Sequence, residues 1–312
     1  MTKLIEDKLD KIPIINLIAL FFKKIKLPGF EGLSMYDLFE LYIIGIVKGA
    51  LTARAGAIAF SFFMALFPFL LFIIIIIPHI PIEGFEIEFL SFLESFLPPT
   101  TTEFFFESIF ENINRASVIS TVFLLSIFLM ANGVNAVFSG FEYSYHEQLS
   151  RNIFKQYLYA LGVAIILALL LIFTVAVFGY FQIYVIQPLY ESLSGEDITN
   201  SGSGLFWIVF GKYVFFVIMV YIATATLYYF GTKEGKQSKF FSVGAILTTL
   251  LIILSSYLFG VYIENFAQYN KLFGSIGALL ILMFYLWLNA NILLLGYELN
   301  ASLNRLKKKE QL

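Results

Sequence analysis

The chain has 312 residues, of which 59% are hydrophobic and only 13% charged, with a mean hydropathy of +0.85 and a formal net charge of −2. Soluble domains run near about 25% charged, so this balance excludes an ordinary soluble globule and points to a polytopic membrane protein. The absence of cysteine excludes disulfides and thiolate metal sites.

Residues 1–50 read as a cytoplasmic N-terminal region, carrying Lys3, Lys8, Lys11, Lys23, Lys24, Lys26 and Lys48. The apolar run 12–22 is too short to span and precedes Lys23-Lys24, the reverse of the charge-first order of a signal peptide. Residues 12–26 are expected to form an amphipathic helix lying in the membrane interface, ended by Leu27-Pro28-Gly29. Ser34 and Asp37 look like an N-cap and a first-turn acid, opening a second helix toward Gly49.

From 55 to 77 the chain has 23 residues without a charge, enough to cross a hydrocarbon core of about 30 Å at about 1.5 Å per residue. Gly45, Gly49, Ala53, Ala57, Ser61 and Ala65 recur every four positions and form a ridge that lets another helix approach closely. The ridge drifts around the helix, which makes this first span the expected central helix. Arg54 stands at its start, and Pro68, lacking an N–H, predicts a kink.

The segment after this span carries Glu83, Glu86, Glu88, Glu94, Glu103, Glu107 and Glu111. It reads as two short amphipathic helices, 87–96 and 101–113, parted by Pro98-Pro99 and capping the outer face. The second span, 118–141, places Asn132, Asn135, Ser139 and Glu142 on one polar stripe of its inner half. The third, 157–181, is nearly pure hydrocarbon. The fourth, 205–230, holds Lys212 two turns from its outer end, positioned to snorkel toward headgroup phosphate or to pair with Glu264. The fifth covers 240–262. The sixth, 272–299, carries Asn289, Asn291 and Glu298, with Asn300 following, and residues 305–312 form a basic cytoplasmic tail.

Seventeen of the twenty Lys and Arg residues fall on one side of this scheme. The positive-inside rule therefore predicts an all-α integral membrane protein of six transmembrane helices with both termini cytoplasmic. The membrane domain is expected to be 51–304, with interfacial amphipathic helices on both faces.

Two stretches carry a family resemblance. Ala53-Arg54-Ala55-Gly56-Ala57-Ile58-Ala59-Phe60 followed by Leu66-Phe67-Pro68 resembles the first-span signature of the YihY/BrkB family of bacterial inner-membrane proteins, formerly labelled ribonuclease BN-like. Phe259-Gly260-Val261-Tyr262, Tyr269-Asn270, Phe273-Gly274-Ser275-Ile276-Gly277-Ala278, Leu286-Trp287-Leu288 and Leu295-Gly296-Tyr297-Glu298-Leu299-Asn300-Ala301 form the second match. Asn135 with Glu142 and Arg151 is similar to a weaker pattern of the same family. The chain departs from it at Val243-Gly244, where Pro-Gly is usual, and at Phe273, where tyrosine is common. The resemblance implies a multi-pass protein of the bacterial cytoplasmic membrane whose nuclease label is a misassignment.

The residues themselves carry no hydrolytic constellation. A nuclease needs metal ligands or a general acid and base converging on one wet site. The two histidines, His79 and His146, are expected on opposite sides of the membrane. Gly231-Thr232-Lys233-Glu234-Gly235-Lys236 lacks phosphate-loop spacing and the strand before it. No metal, cofactor, nucleic-acid partner or enzymatic activity is expected.

Polar groups within membrane spans usually face a cavity or a partner. Arg54, Glu142 and Glu298 should meet at the inner boundary as a paired gate, bordered by Asn132, Asn135, Ser139, Asn289, Asn291 and Asn300. The expected function is a transporter or flippase for a lipid-like or amphipathic anionic substrate, with membrane lipids as partners. The alternative is a non-transporting scaffold or envelope-assembly partner, in which the same groups only bond helix to helix.

Overall fold

The computed structural model describes residues 20–24, 34, 36, 51–76, 116–142, 152–186, 188, 202–231, 240–266 and 275–310. Six long helices carry almost all of these: α1 (Leu51–Ile76), α2 (Ala116–Glu142), α3 (Ile153–Phe181), α4 (Gly202–Gly231), α5 (Val243–Phe266) and α6 (Ser275–Glu310). Backbone polar groups have no water to bond in lipid, so a spanning segment must satisfy them internally, and helices do so. Among the described residues, five stretches within α2 to α6 are long and apolar enough to cross a membrane. Of the expected interfacial helices, only residues 20–24 are described, as one helical turn. Lys23 there lies 4.6 Å from the centre of the Tyr36 ring. Apart from residues 34 and 36, the rest of 1–50 and the segment 77–115 fall outside the described residues.

Each helix packs on the next in chain order, and α6 returns to α1. Inside this ring α2 also touches α4 and α6. Half of its apolar stretch Leu124–Glu142 is buried, against 17–33% for the other four stretches. The first span was expected to be the central helix, and α2 takes that place instead. The reason lies in side-chain size around its whole circumference. Ala131, Gly133 and Gly140 let neighbours close in on several sides, while Val137, Phe138 and Phe141 fill what remains.

The ridge on α1 is likewise only partly used. Ala53 and Ala57 are exposed, while Ser61 and Ala65 are half-buried beside Gly133. The face that packs carries Leu51, Ala55 and Ile58, where large and small side chains interlock with α2 and α6. The tightest core lies at one end of the ring, where Leu51, Ile58, Phe138, Phe141, Leu294 and Leu299 are fully buried. Phe141 stacks on Tyr297 at 4.2 Å between ring centres and meets Tyr228 edge-on at 5.6 Å.

Two element boundaries differ from expectation for local reasons. α5 begins at Val243 rather than 240 because Ser242 caps it, its Oγ accepting from the Ala245 N–H at 3.3 Å. α6 continues to Glu310, so most of the segment read as a separate tail from 305 is helical. No proline or glycine interrupts it after Gly296.

Candidate functional site

Arg54 sits in the first turn of α1 and is held from two directions. Its Nη2 donates to Glu298 Oε1 of α6 at 2.9 Å, and its Nη1 donates to the Gly140 carbonyl of α2 at 2.8 Å. α2 ends at Glu142, so the Gly140 carbonyl belongs to a last helical turn whose oxygens lack intrahelical donors. A cation there also meets the negative end of the helix dipole. The side chains of Arg54 and Glu298 are only 9% and 3% exposed. One ion pair thus fastens three helices. The Arg54 Nε–H is buried and has no partner among the described residues, the kind of exception that calls for an acceptor such as water or a ligand oxygen.

A second polar group forms between α2 and α3. Gln156 is 6% exposed in the first turn of α3, whose N-terminus Asn152 caps by accepting from the Phe154 N–H at 3.1 Å. The Gln156 amide lies between Ser139 and Glu142. Oriented to satisfy both, it donates to the two Glu142 carboxylate oxygens at 2.7 and 3.0 Å and accepts from Ser139 Oγ at 3.1 Å, with Asn135 Oδ1 3.3 Å from its oxygen. The structure therefore brings Asn135, Ser139 and Glu142 together around Gln156. Asn132, on the same stripe, is exposed and makes no hydrogen bond among the described residues.

The polar groups of α6 bond mostly to helices. Asn300 accepts from the Gly244 N–H at 2.8 Å and donates to Ser242 Oγ at 2.9 Å, so it caps the start of α5. Asn289 donates to the Tyr285 carbonyl at 2.9 Å and accepts from Ser255 Oγ at 3.3 Å. Asn291 donates back to the Trp287 carbonyl at 2.8 Å. None of these three lines a pocket with Arg54. Replacing Asn300 with alanine is expected to cost about 1 kcal/mol, the worth of a helix N-cap. The loss should appear as a lowered unfolding midpoint in detergent with faster hydrogen exchange in the first turn of α5.

Lys212 holds its Nζ 4.7 Å from the centre of the Phe178 ring of α3, a cation–π contact. The side chain of Glu264 lies outside the described residues. Pro68 is buried inside α1, and the helix continues through it to Ile76.

Sequence inspection missed Gln156 and the trio Tyr228, Thr248 and Leu293. Thr248 donates to the Tyr228 oxygen at 2.6 Å, and Tyr228 donates to the Leu293 carbonyl at 2.7 Å, joining α4, α5 and α6. The available signal for Gln156 was an uncharged polar residue four places after the capping Asn152, at the first inward position of an apolar helix.

Beyond the polar layer lies a cavity of about 410 Å³, lined by residues such as Phe62, Phe69, Gly133, Ala168, Leu171 and Met219 from α1 to α4. Thr174 alone brings a side-chain oxygen to its wall. Arg54 and Phe62 are eight residues apart on α1, an axial rise of about 12 Å along the helix. A second cavity, of about 520 Å³, lies between α3 and α4. Among the described residues no three His, Asp or Glu side chains converge as a metal site would require. Both histidines lie outside those residues.

A family profile described as "Virulence factor BrkB" matches residues 45–312. The chain is 24% identical over 262 residues to the ribonuclease-like protein YfkH of Bacillus subtilis (strain 168), covering 82% of this chain and 91% of that protein. It is 24% identical over 253 residues to a UPF0761 membrane protein of Coxiella burnetii (strain Dugway 5J108-111), covering 78% and 84%. A UPF0761 membrane protein of Aggregatibacter aphrophilus (strain NJ8700) is 21% identical over 270 residues, covering 85% and 91%. No solved structure matches the chain significantly.

Proposed function

The chain belongs to the BrkB family of membrane proteins, and from that premise we propose that it is a transporter or flippase for an amphipathic, lipid-like anionic substrate. In this reading α1 is a sixth span, both termini are cytoplasmic and the protein resides in the bacterial inner membrane. It is a carrier without enzymatic chemistry, and the ribonuclease wording attached to one relative does not extend to it. The observation that carries the proposal is the cavity of about 410 Å³ with an almost wholly apolar wall. A site of that size is in the range that holds ligands, and apolar walls suit an acyl chain. About two turns back along α1 from Phe62, the buried guanidinium of Arg54 has an Nε–H with no partner among the described residues, a donor that an anionic headgroup could use.

The test is reconstitution of the full chain into vesicles containing a trace of headgroup-labelled fluorescent phosphatidylglycerol. A membrane-impermeant reductant is then added from outside. Bleaching should proceed beyond the outer-leaflet pool in vesicles with protein, and Ala168→Phe, which fills the cavity, should slow it several-fold. Bleaching that stops at the outer-leaflet pool in both preparations would reject the carrier.

One observation favours the competing scaffold reading. Asn289 and Asn300 of α6 bond across to Ser255 of α5 and to Ser242 and Gly244 at its start, while Asn291 bonds back within α6, and interhelical bonds such as the former hold membrane bundles together at about 0.6 kcal/mol each.

A further inference from the structure

The second cavity lies on a different part of the bundle. Its wall on α3 is formed by Lys155, Leu158, Tyr159, Gly162, Val163 and Ile166, and Phe230 of α4 closes the other side. The α3 residues follow one another at steps of three, one, three, one and three, so they occupy one face of the helix. From Lys155 to Ile166 that face is about 16 Å long, close to half of the roughly 30 Å hydrocarbon core. The groove therefore has the length of one leaflet. Its charged end is Lys155, which is exposed and meets no carboxylate among the described residues. Below it the floor is apolar.

Gly162 adds an independent observation. It lies in the middle of a long helix, where glycine weakens the helix relative to alanine. A Cβ placed on Gly162 would meet nothing within 4 Å, so packing inside the protein does not account for it. What the missing side chain does is deepen the groove, letting something outside the protein approach the backbone.

We propose that this groove is a binding site for one anionic phospholipid, held in place rather than transported. The phosphate pairs with Lys155, and one acyl chain lies along Leu158, Gly162 and Ile166 against Phe230. The site goes beyond the carrier reading, because it shares no lining residue with the cavity beside Phe62 and Gly133.

The full chain, purified in mild detergent, should be examined by native mass spectrometry with added phosphatidylglycerol or phosphatidylcholine. The wild type is expected to retain one phosphatidylglycerol about ten times more persistently than phosphatidylcholine, the effect of about 1.4 kcal/mol of headgroup preference. Lys155→Glu should abolish that preference. Gly162→Leu should reduce retention of both lipids several-fold while the unfolding midpoint stays near the wild-type value. Gly162→Ala, a smaller intrusion, should fall between. If Gly162→Leu folds and retains lipid as the wild type does, the groove is not occupied. If Lys155→Glu keeps the preference, the headgroup is bound elsewhere. Loss of the preference on adding inorganic phosphate, with retention indifferent to Gly162→Leu, would reduce the site to a surface phosphate contact and overturn the lipid assignment.

Discussion

Glu298→Ala should destabilise the protein by about 3–5 kcal/mol, the cost of breaking a buried ion pair from one side. The Glu298 side chain is 3% exposed and accepts from Arg54 Nη2 at 2.9 Å. Without it the guanidinium stays buried at 9% exposure with the Gly140 carbonyl as its remaining acceptor. Among the described residues that leaves a buried charge with no carboxylate against it. Reversible denaturation in mixed micelles would measure the loss. Arg54→Met combined with Glu298→Leu should regain most of it, because removing both charges removes the desolvation penalty along with the attraction. A single variant as stable as the wild type would mean the pair is wet and exchangeable. The same variants separate stability from function. A gate predicts that the double variant folds but moves its substrate abnormally, whereas a purely structural pair predicts normal movement once folding is restored.

Gly296→Ala should be nearly as damaging. A Cβ at this position would collide with the Thr248 hydroxyl and stand within 2.8 Å of the Tyr228 hydroxyl and the Gly244 carbonyl. Gly244 is constrained from the other side, since a Cβ there would strike the Gly296 carbonyl and the Asn300 side chain. The two glycines set the distance between α5 and α6. Separating the helices would break the bond from Gly244 to Asn300 and one of the two bonds of the Thr248–Tyr228–Leu293 chain that links α5 to α6 through α4, at about 1 kcal/mol each, in addition to about 1–3 kcal/mol of overpacking strain. Thermal unfolding in detergent should show a large drop for Gly296→Ala and loss of folded protein for Gly296→Leu. Gly260→Ala provides the contrast: nothing lies within 4 Å of its added Cβ, so it should be neutral or more stable by up to about 1 kcal/mol. A harmless Gly296→Ala would show that α5 and α6 do not approach as closely as the structure has them.

These two predictions also show where sequence patterns stop. Gly260 and Gly296 both stand in stretches that carry the family resemblance, yet only one of them is in close contact with another helix. Glycine spacing marks where a helix could be approached and leaves open which approaches occur. The α1 ridge failed as a seam for the same reason, since Ala53 and Ala57 are exposed while Ile58, a large residue, is fully buried. The polar stripe on α2 was legible as a stripe, because positions three and four apart share a helix face. Its partner Gln156 was marked only by its place one turn after the capping Asn152, which does not say that this side chain meets the α2 stripe.

By itself the sequence determined the helical class, the approximate places of the long apolar segments and the residues available for polar contacts. Those follow from composition and from the local requirement that backbone groups in lipid be bonded within the segment. The tertiary structure decided that α2 rather than α1 is central, that Arg54 joins Glu298 and Gly140, and that Asn300 caps α5. It also decided that the cavity lined by Phe62, Gly133 and Ala168 is apolar. These depend on which faces of nearly uniform hydrocarbon helices meet. Lipid is as apolar as the side chains, so hydrophobicity carries little information about that choice, and it falls to close packing and to the few polar groups that must find one another.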